Sequence, residues 1–362
     1  MADTTREERR RRCGWVRGIA GLALYVGAAL AAWTLGAAEI PSGTTRLFTE
    51  AATVDEALSG PGALEVNIPN AYAPVYDAKT GWSGVVALTA DNGAWRGGMT
   101  ILSGGVLVSN LTALGTGSIK MHPRTALIVA VSYKDAGQSL KEKVIDRIEV
   151  QNPDNLAESD LWVSFQVQGE GLRNDVDFSA QPYLWLSAPK SRQGWQNDYQ
   201  TLDGVFTPCD TYRFGYNYVT YTETVCLAVD NLCDGPDGTP RGVVFRGPSS
   251  QVIGRNWTFS GRIRIEDGAG VLFNRYGGLG PVPPEARTNQ VTICGTGNGL
   301  HPRCSGVSFD ARIGITVEDG ATVNFNPAGS TEEKSVNVFN GPLCGSGTIT
   351  VPDNGGYWFT AT

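Results

Sequence analysis

Asp175 and Asp177 stand two positions apart and so share one face of any strand that holds them. Paired carboxylates about 5 to 10 Å apart are the machinery of glycoside hydrolysis, one supplying a proton and the other attacking or activating water. These two are the catalytic candidates, against a structural reading in which they only solvate a strand. Glu266/Asp267 and Glu318/Asp319 precede Gly268 and Gly320, and acids beside a glycine serve a turn. Cys294, His301 and Cys304 are metal-ligand types, but no Cys-x-x-Cys knuckle accompanies them, so no metal site is expected. The acidic stretch 230–238 fails as a calcium loop, because its third position is Leu232 and its twelfth is Arg241; a solvated turn is expected instead. His122 and His301 lie far apart with no Gly-x-Ser-x-Gly elbow, so no serine triad is expected. Trp185, Trp195, Tyr212, Phe214, Tyr216 and Tyr218 gather in the middle of the chain, where such rings stack on sugars or, more commonly, fill a core. Nothing here calls for a cofactor.

What would position such residues is a repeat. Residues 263–274 (IRIEDGAGVLFN) and 315–326 (ITVEDGATVNFN) agree at eight of twelve positions, at an offset of 52. An earlier copy aligns without gaps at an offset of 164: Asn92 with Asn256, Trp95 with Phe259, Gly97 with Gly261, Ile101 with Ile265, Gly104 with Gly268 and Asn110 with Asn274. The unit alternates apolar and polar residues and is broken by glycine, the pattern of short strands with one buried face. In the last copy, alternation turns Val307, Phe309, Ile313, Ile315 and Val317 inward, then Ala321, Val323 and Phe325 after the turn 318–320. Strands this short cannot bury an apolar face alone, whereas piling coil on coil pairs every backbone with its neighbours. An all-β solenoid is therefore expected over 39–362, with repeat regions at about 81–130 and 241–362 and a divergent middle at about 131–240. Residues 275–306, rich in Gly and Pro, are expected to project as a loop insertion. For 141–150 a strand end is preferred to a helical turn.

Residues 88–117 (LTADNGAWRGGMTILSGGVLVSNLTALGTG) resemble the autotransporter-associated β-strand repeat, a unit of the form L-T-G-x-N-x-Y-x-G-G-T-T-I-x-x-G-x-L followed by A-L-G-x-G. The matching positions are Leu88, Thr89, Asn92, Gly97, Gly98, Thr100, Ile101, Gly104, Leu107, Ala113, Leu114, Gly115 and Gly117, with Trp95 at the aromatic site. The likeness weakens at 256–274, with Gly261 and Gly268, and at 315–326, with Gly320; residues 343–351 are similar to a short coil found beside such repeats. It implies a right-handed parallel β-helix, an exported passenger-like module at the cell surface or outer membrane. The family's C-terminal membrane barrel has no counterpart here, and six cysteines are unusual for such passengers.

Composition agrees with turn-rich β structure: 46 of 362 residues are Gly, and only 18% are charged. Residues 1–38 differ from the rest, with an arginine-rich head followed by an apolar run from Gly18 to Ala38. A signal peptide cleaved before Glu39 is expected, with Gly36 and Ala38 at the small-residue positions. The rival is an uncleaved anchor, since a run of about 20 apolar residues can span a bilayer; the membrane would then be met through 14–38. Without the six arginines and three acids of this segment, 23 Lys+Arg face 33 Asp+Glu, a net of −10. Nucleic acid is disfavoured as a partner, because binding its backbone needs clustered positive charge.

Six cysteines follow residue 38, an even number that favours disulfides in an exported chain. The close pairs Cys226/Cys233 and Cys294/Cys304 are the candidate bridges, although six thiols allow 15 connectivities. The expected role is a structural or adhesive surface module facing glycans, matrix or other cells, rather than an enzyme. The alternative is a carbohydrate-active β-helix enzyme, a polysaccharide lyase or glycoside hydrolase, with carboxylates near Asp175 or within 275–306.

Overall fold

The computed structural model describes residues 37–69, 75–77, 81–130, 140–167, 176–187, 200–202, 205–215, 225–229, 231–247, 250–254, 257–273, 279, 281–302, 308–325, 336–351 and 356–359. The expected signal or anchor lies outside them except for its last two residues. No helix among the described residues is long and apolar enough to cross a membrane.

The described chain is mostly strand, 46% against 6% helix, which makes it all-β. One parallel sheet of twelve strands takes its members in strict chain order: Ala52–Val54, Val85–Leu88, Gly105–Val108, Ala126–Val129, Val163–Val167, Leu184–Ser187, Thr211–Gly215, Gly242–Arg246, Ile263–Glu266, Arg287–Cys294, Ile313–Val317 and Leu343–Gly345. At 4.7–4.9 Å per strand this long sheet is about 50 Å across. Each strand bonds to the next one along the chain, so the backbone returns to the same sheet again and again. Val85, Gly105, Ala126 and Ser164, for example, form one column.

Two further parallel sheets flank the long one in the order of the chain. A five-stranded sheet (Thr45–Phe48, Ala63–Asn67, Met99–Ser103, Ile119–Met121, Ile148–Val150) supplies a strand before the long-sheet strand in the early coils. A seven-stranded sheet, from Gln200–Leu202 to Thr348–Thr350, supplies a strand after it in the later coils. A three-stranded sheet joins Ser308–Phe309, Val336–Phe339 and Gly356–Phe359. The arrangement is compatible with a solenoid.

Alternation explains the core. Phe309, Ile313, Ile315, Val317, Ala321, Val323 and Phe325 are all buried, as expected from their spacing, while Val307 lies outside the described residues. They belong to one apolar cluster running from Ile40 to Phe339. Within it, rings from successive coils stack, Phe214 on Phe245 at 5.6 Å and Phe309 on Phe339 at 4.2 Å. Each such side chain contributes roughly 1.5–3 kcal/mol by leaving water.

The repeat-motif residues hold neighbouring coils together. Fully buried Asn92 accepts the Leu58 N–H at 2.7 Å and donates to the Ala113 carbonyl at 2.7 Å, linking the coil before to the coil after. Trp95 donates its indole N–H to the Gly62 carbonyl at 2.8 Å. A side chain at Gly97 would overlap that same carbonyl, and Gly117 and Gly261 lie equally tight on the coils beneath them. Ile101 and Leu114 fill the core, and Gly115 lies against Trp95. Asn110 caps the turn Leu111–Leu114 by accepting from the Ala113 N–H at 2.8 Å.

The matched copies nevertheless occupy different faces. In the early copy, Met99–Ser103 lies on the five-stranded sheet, and Gly104 turns the chain onto the long sheet. In the middle copy, Ile263–Glu266 is already on the long sheet, and Gly268 turns the chain onto the seven-stranded one, as Gly320 does after Ile313–Val317. All three glycines have φ between 71° and 85°, a region open to them without steric cost. The motif thus encodes a strand, a corner and a strand, whichever corner it closes.

Part of the expected insertion at 275–306 is not a projecting loop. Arg287–Cys294 is a strand of the long sheet and Asn298–Pro302 a strand of the seven-stranded one, each paired on both sides. Gly295 and Gly297, both at positive φ, make the corner between these two strands. Within 141–150 the chain makes a helical turn, Leu140–Lys143, and only then the strand Ile148–Val150.

Candidate functional site on the outer face of the long sheet

Alternate residues of the long sheet that do not enter the core form an outer face of two rows. One row runs Ala87, Leu107, Ile128, Gln166, Ser187 in register, and resumes with Arg246, Glu266 and Cys294. The other includes Ser164 beside Trp185, then Val244, Arg264, Thr292, Thr316 and Cys344. Along the stack the face therefore changes from aliphatic, through tryptophan and small polar groups, to charged. Val85, Ala87, Leu107 and Ile128 form a buried apolar cluster of their own outside the main core, and Trp162 and Trp185 form another with Val244.

The charged end is a ladder. Buried Glu266 pairs with Arg246 on the coil before it and, at 2.7 Å, with Arg264 on its own strand. Arg264 reaches Glu318 at 3.4 Å, and Arg246 lies 3.6 Å from Asp267. The Arg246 guanidinium also lies 5.5 Å over the Trp185 ring. Cys294, in register with Glu266, has its thiol pushed up to about 12 by burial and then by Glu318. It is held protonated, so it is a poor nucleophile at neutral pH.

Between the aliphatic and charged ends, Gln166 and Ser187 face each other in register, both buried. The Gln166 amide donates to the Ser164 hydroxyl at 3.2 Å, while its carbonyl oxygen and the Ser187 hydroxyl have no hydrogen-bond partner among the described residues.

The catalytic candidates are placed differently. Asp175 lies outside the described residues. Asp177 accepts the Ser179 N–H at 2.9 Å and lies 3.7 Å from Lys141, which also binds Asp146 at 2.7 Å. Ser179 first, and then Lys141, hold the Asp177 carboxyl below its usual range, the opposite of what a general acid needs. In the acidic loop, Asp234 accepts the N–H groups of Arg241 at 3.0 Å and Ser260 at 2.8 Å, fastening the loop to the next coil. Asp237 binds Thr239 through both its oxygens. These carboxylates serve turns.

Tyr212 and Phe214 are core residues; the Tyr212 hydroxyl lies 2.9 Å from the Phe206 carbonyl and accepts the Cys233 N–H at 3.2 Å. Trp195, Tyr216 and Tyr218 lie outside the described residues. A small cleft lined by Phe178, Leu184, Phe206 and Tyr212 opens beside exposed Cys209. Cys209, Cys233, Cys294 and Cys344 are free thiols, so neither expected bridge is formed on its described half; the side chains of Cys226 and Cys304 lie outside the described residues. No group of three His, Cys, Asp or Glu that could hold a metal occurs among the described residues.

Sequence reasoning missed the ion ladder and Asn298. Asn298 accepts the Gly268 N–H at 3.1 Å and donates to the Cys294 carbonyl at 2.7 Å, bridging coils as Asn92 does. Its signal was an Asn between two glycines after an alternating strand. The ladder could have been found from Arg246, Arg264 and Glu266, all outward by alternation.

Comparison with protein-family models, curated proteins and solved structures finds no match to this chain.

Proposed function

We propose that this chain is an exported structural or adhesive surface module, built as a right-handed parallel β-helix of the autotransporter-associated kind. The observation that carries this reading is the long sheet, twelve parallel strands in unbroken chain order. Right-handedness is favoured because parallel strands joined by a crossover take that hand in almost every case. The passenger-like reading is supported by the work of Asn92, Trp95 and Gly97, the residues that carry the resemblance, which tie coil to coil.

Such a stack repeats side chains every 4.7–4.9 Å along its outer rows, a spacing suited to extended, repetitive ligands. Arg264, Glu318, Thr292 and Thr316, at least partly exposed, offer charged and hydroxyl groups for glycans, matrix or other cell surfaces. Export rests on residues 1–38, and N-terminal sequencing of the exported protein tests cleavage before Glu39. Binding is tested on arrays of glycans and matrix proteins. The adhesive reading expects binding that Arg264→Ala and Glu318→Ala weaken, whereas a flat array leaves a scaffold alone. Polysaccharide turnover abolished by Asp175→Asn would overturn both in favour of a carbohydrate-active enzyme.

A further inference from the structure

Four Asp-Gly steps fall among the described residues, at 234–235, 237–238, 267–268 and 319–320. Such a step can rearrange without any enzyme: the glycine nitrogen attacks the aspartate Cγ, a C–N bond forms, and the carboxyl O–H and the amide proton depart as one water. The resulting five-membered imide takes up one water at either carbonyl, giving back aspartate or an isoaspartate whose main chain is one carbon longer. Nothing is oxidised or reduced. Glycine favours the attack because it carries no side chain beside the nitrogen and bends freely. The nitrogen must lose its proton to attack, so an N–H already held by an acceptor is protected.

The fold protects three of the four steps. Gly235 donates its N–H to the Thr239 carbonyl at 2.9 Å, Gly238 to the Gly235 carbonyl at 2.8 Å, and Gly268 to the Asn298 side-chain oxygen at 3.1 Å. Gly320 differs. Among the described residues no acceptor takes its N–H, and both it and Asp319 are exposed. A side chain at Gly320 would meet nothing within 4 Å. The corner has a coil on either side, touched where the Thr322 N–H donates to the Gly295 carbonyl at 2.9 Å and where the Ser346 hydroxyl donates to Asp319 at 3.0 Å, and it stays open between them. Residues 266–269 and 318–321 share the sequence Glu-Asp-Gly-Ala, so the difference lies in what the next coil presents. Behind Gly268 it is Asn298, which takes the N–H; behind Gly320 it is Ser346, which binds the carboxylate and leaves the N–H to water.

We propose that Asp319 is a site of spontaneous isoaspartate formation and that Asn298 is the group that spares Asp267. The added carbon falls at the corner joining Ile313–Val317 of the long sheet to Thr322–Asn324 of the seven-stranded one. A longer corner displaces the Thr322 N–H from the Gly295 carbonyl, and the Thr322 hydroxyl from the Gly297 N–H that donates to it at 2.8 Å. Modification of one exposed turn therefore loosens a contact between coils, and it accumulates with the age of the chain.

The test is incubation of the full chain at neutral pH in water carrying heavy oxygen, followed by peptide mapping with a protease that cuts before aspartate but not before isoaspartate. Each ring opening installs one heavy oxygen, so the label counts events at every Asp-Gly step. Asp319 is expected to gain label and isoaspartate at least tenfold faster than Asp234, Asp237 and Asp267. In the chain unfolded in urea the four rates should converge, since the protection is structural. Asn298→Ala should raise the rate at Asp267 toward that at Asp319. No conversion at Asp319, equal rates at all four sites in the folded chain, or the same tenfold spread in urea would overturn the proposal. An Asn298→Ala chain that is folded by circular dichroism and still spares Asp267 would overturn it too. Should that variant unfold, the comparison of the folded and the urea-unfolded unaltered chain decides.

Discussion

Replacing Asn92 by alanine should be a costly single change. Its side chain is fully buried and makes two bonds of 2.7 Å, accepting from the Leu58 N–H and donating to the Ala113 carbonyl. Truncation leaves one buried donor and one buried acceptor without partners, each costing about 1–3 kcal/mol, so the expected loss is about 2–6 kcal/mol. Because the parallel strands pair in chain order, the damage should centre on the segments holding Leu58 and Ala113. Urea denaturation gives the total, and hydrogen exchange of the Leu58 amide gives its location, with protection falling at least tenfold. Asn92→Asp separates the two bonds: the acceptor survives, but a carboxylate must then face the Ala113 carbonyl. It can donate there only when protonated, so its folded pKa is raised, and the variant should lose stability as pH rises through the carboxylate range and recover it in acid. A loss under about 1 kcal/mol for Asn92→Ala, with the Leu58 amide still protected, would refute this account of how the coils are fastened.

Gly97→Ala should destabilise more than Gly320→Ala, since the first side chain meets the Gly62 carbonyl while the second meets nothing within 4 Å and carries only the strain of φ 71°; thermal melts of both variants check the order. For Asp234, hydrogen bonds from Ser260 and Arg241 outweigh burial and lower the folded pKa, so its contribution is fully present above the unfolded value of about 3.9 and lost as pH falls through the lower folded value. Asp234→Asn should flatten that acid limb in urea titrations at pH 2 to 5. Arg246→Met should cost about 3 kcal/mol by leaving buried Glu266 with one partner, and Arg246→Met combined with Glu266→Leu should recover most of it. In native-state maleimide labelling at pH 8, exposed Cys209 should react quickly, and Cys294, its thiol held near 12, only on unfolding.

The inward set from Phe309 to Phe325 was legible because a strand face repeats every two residues and glycine interrupts it at the corner. Asn92, Trp95 and Gly97 were legible as a pattern, but not as contacts between coils, because their partners Leu58, Ala113 and Gly62 lie 21 to 35 residues away. Ile101 and Ile265 align in sequence and are both buried, yet they lie on different sheets, since a corner imposes the same local demands wherever it falls. Arg287–Cys294 was hidden by the Gly and Pro around it, although Val291 and Ile293 alternate correctly. On the outer face, strands such as Val85–Leu88 and Ala126–Val129 are apolar on both sides, the mark of a sheet covered twice, and local alternation gives no sign of what lies above. Asp177, Asp234 and Asp237 look alike in sequence to catalytic or calcium-binding carboxylates; their bonds to Ser179, Ser260 and Thr239 show them fastening turns.

Each strand of the long sheet finds its partner on the coil just finished, only 20 residues back for Gly105 and 21 for Ala126. Chains whose contacts span short stretches lose little entropy in closing each loop, so structure can spread outward from the first coil to form. A polypeptide of this kind can assemble from one end, every new turn settling on a finished template and few waiting for a distant segment to arrive.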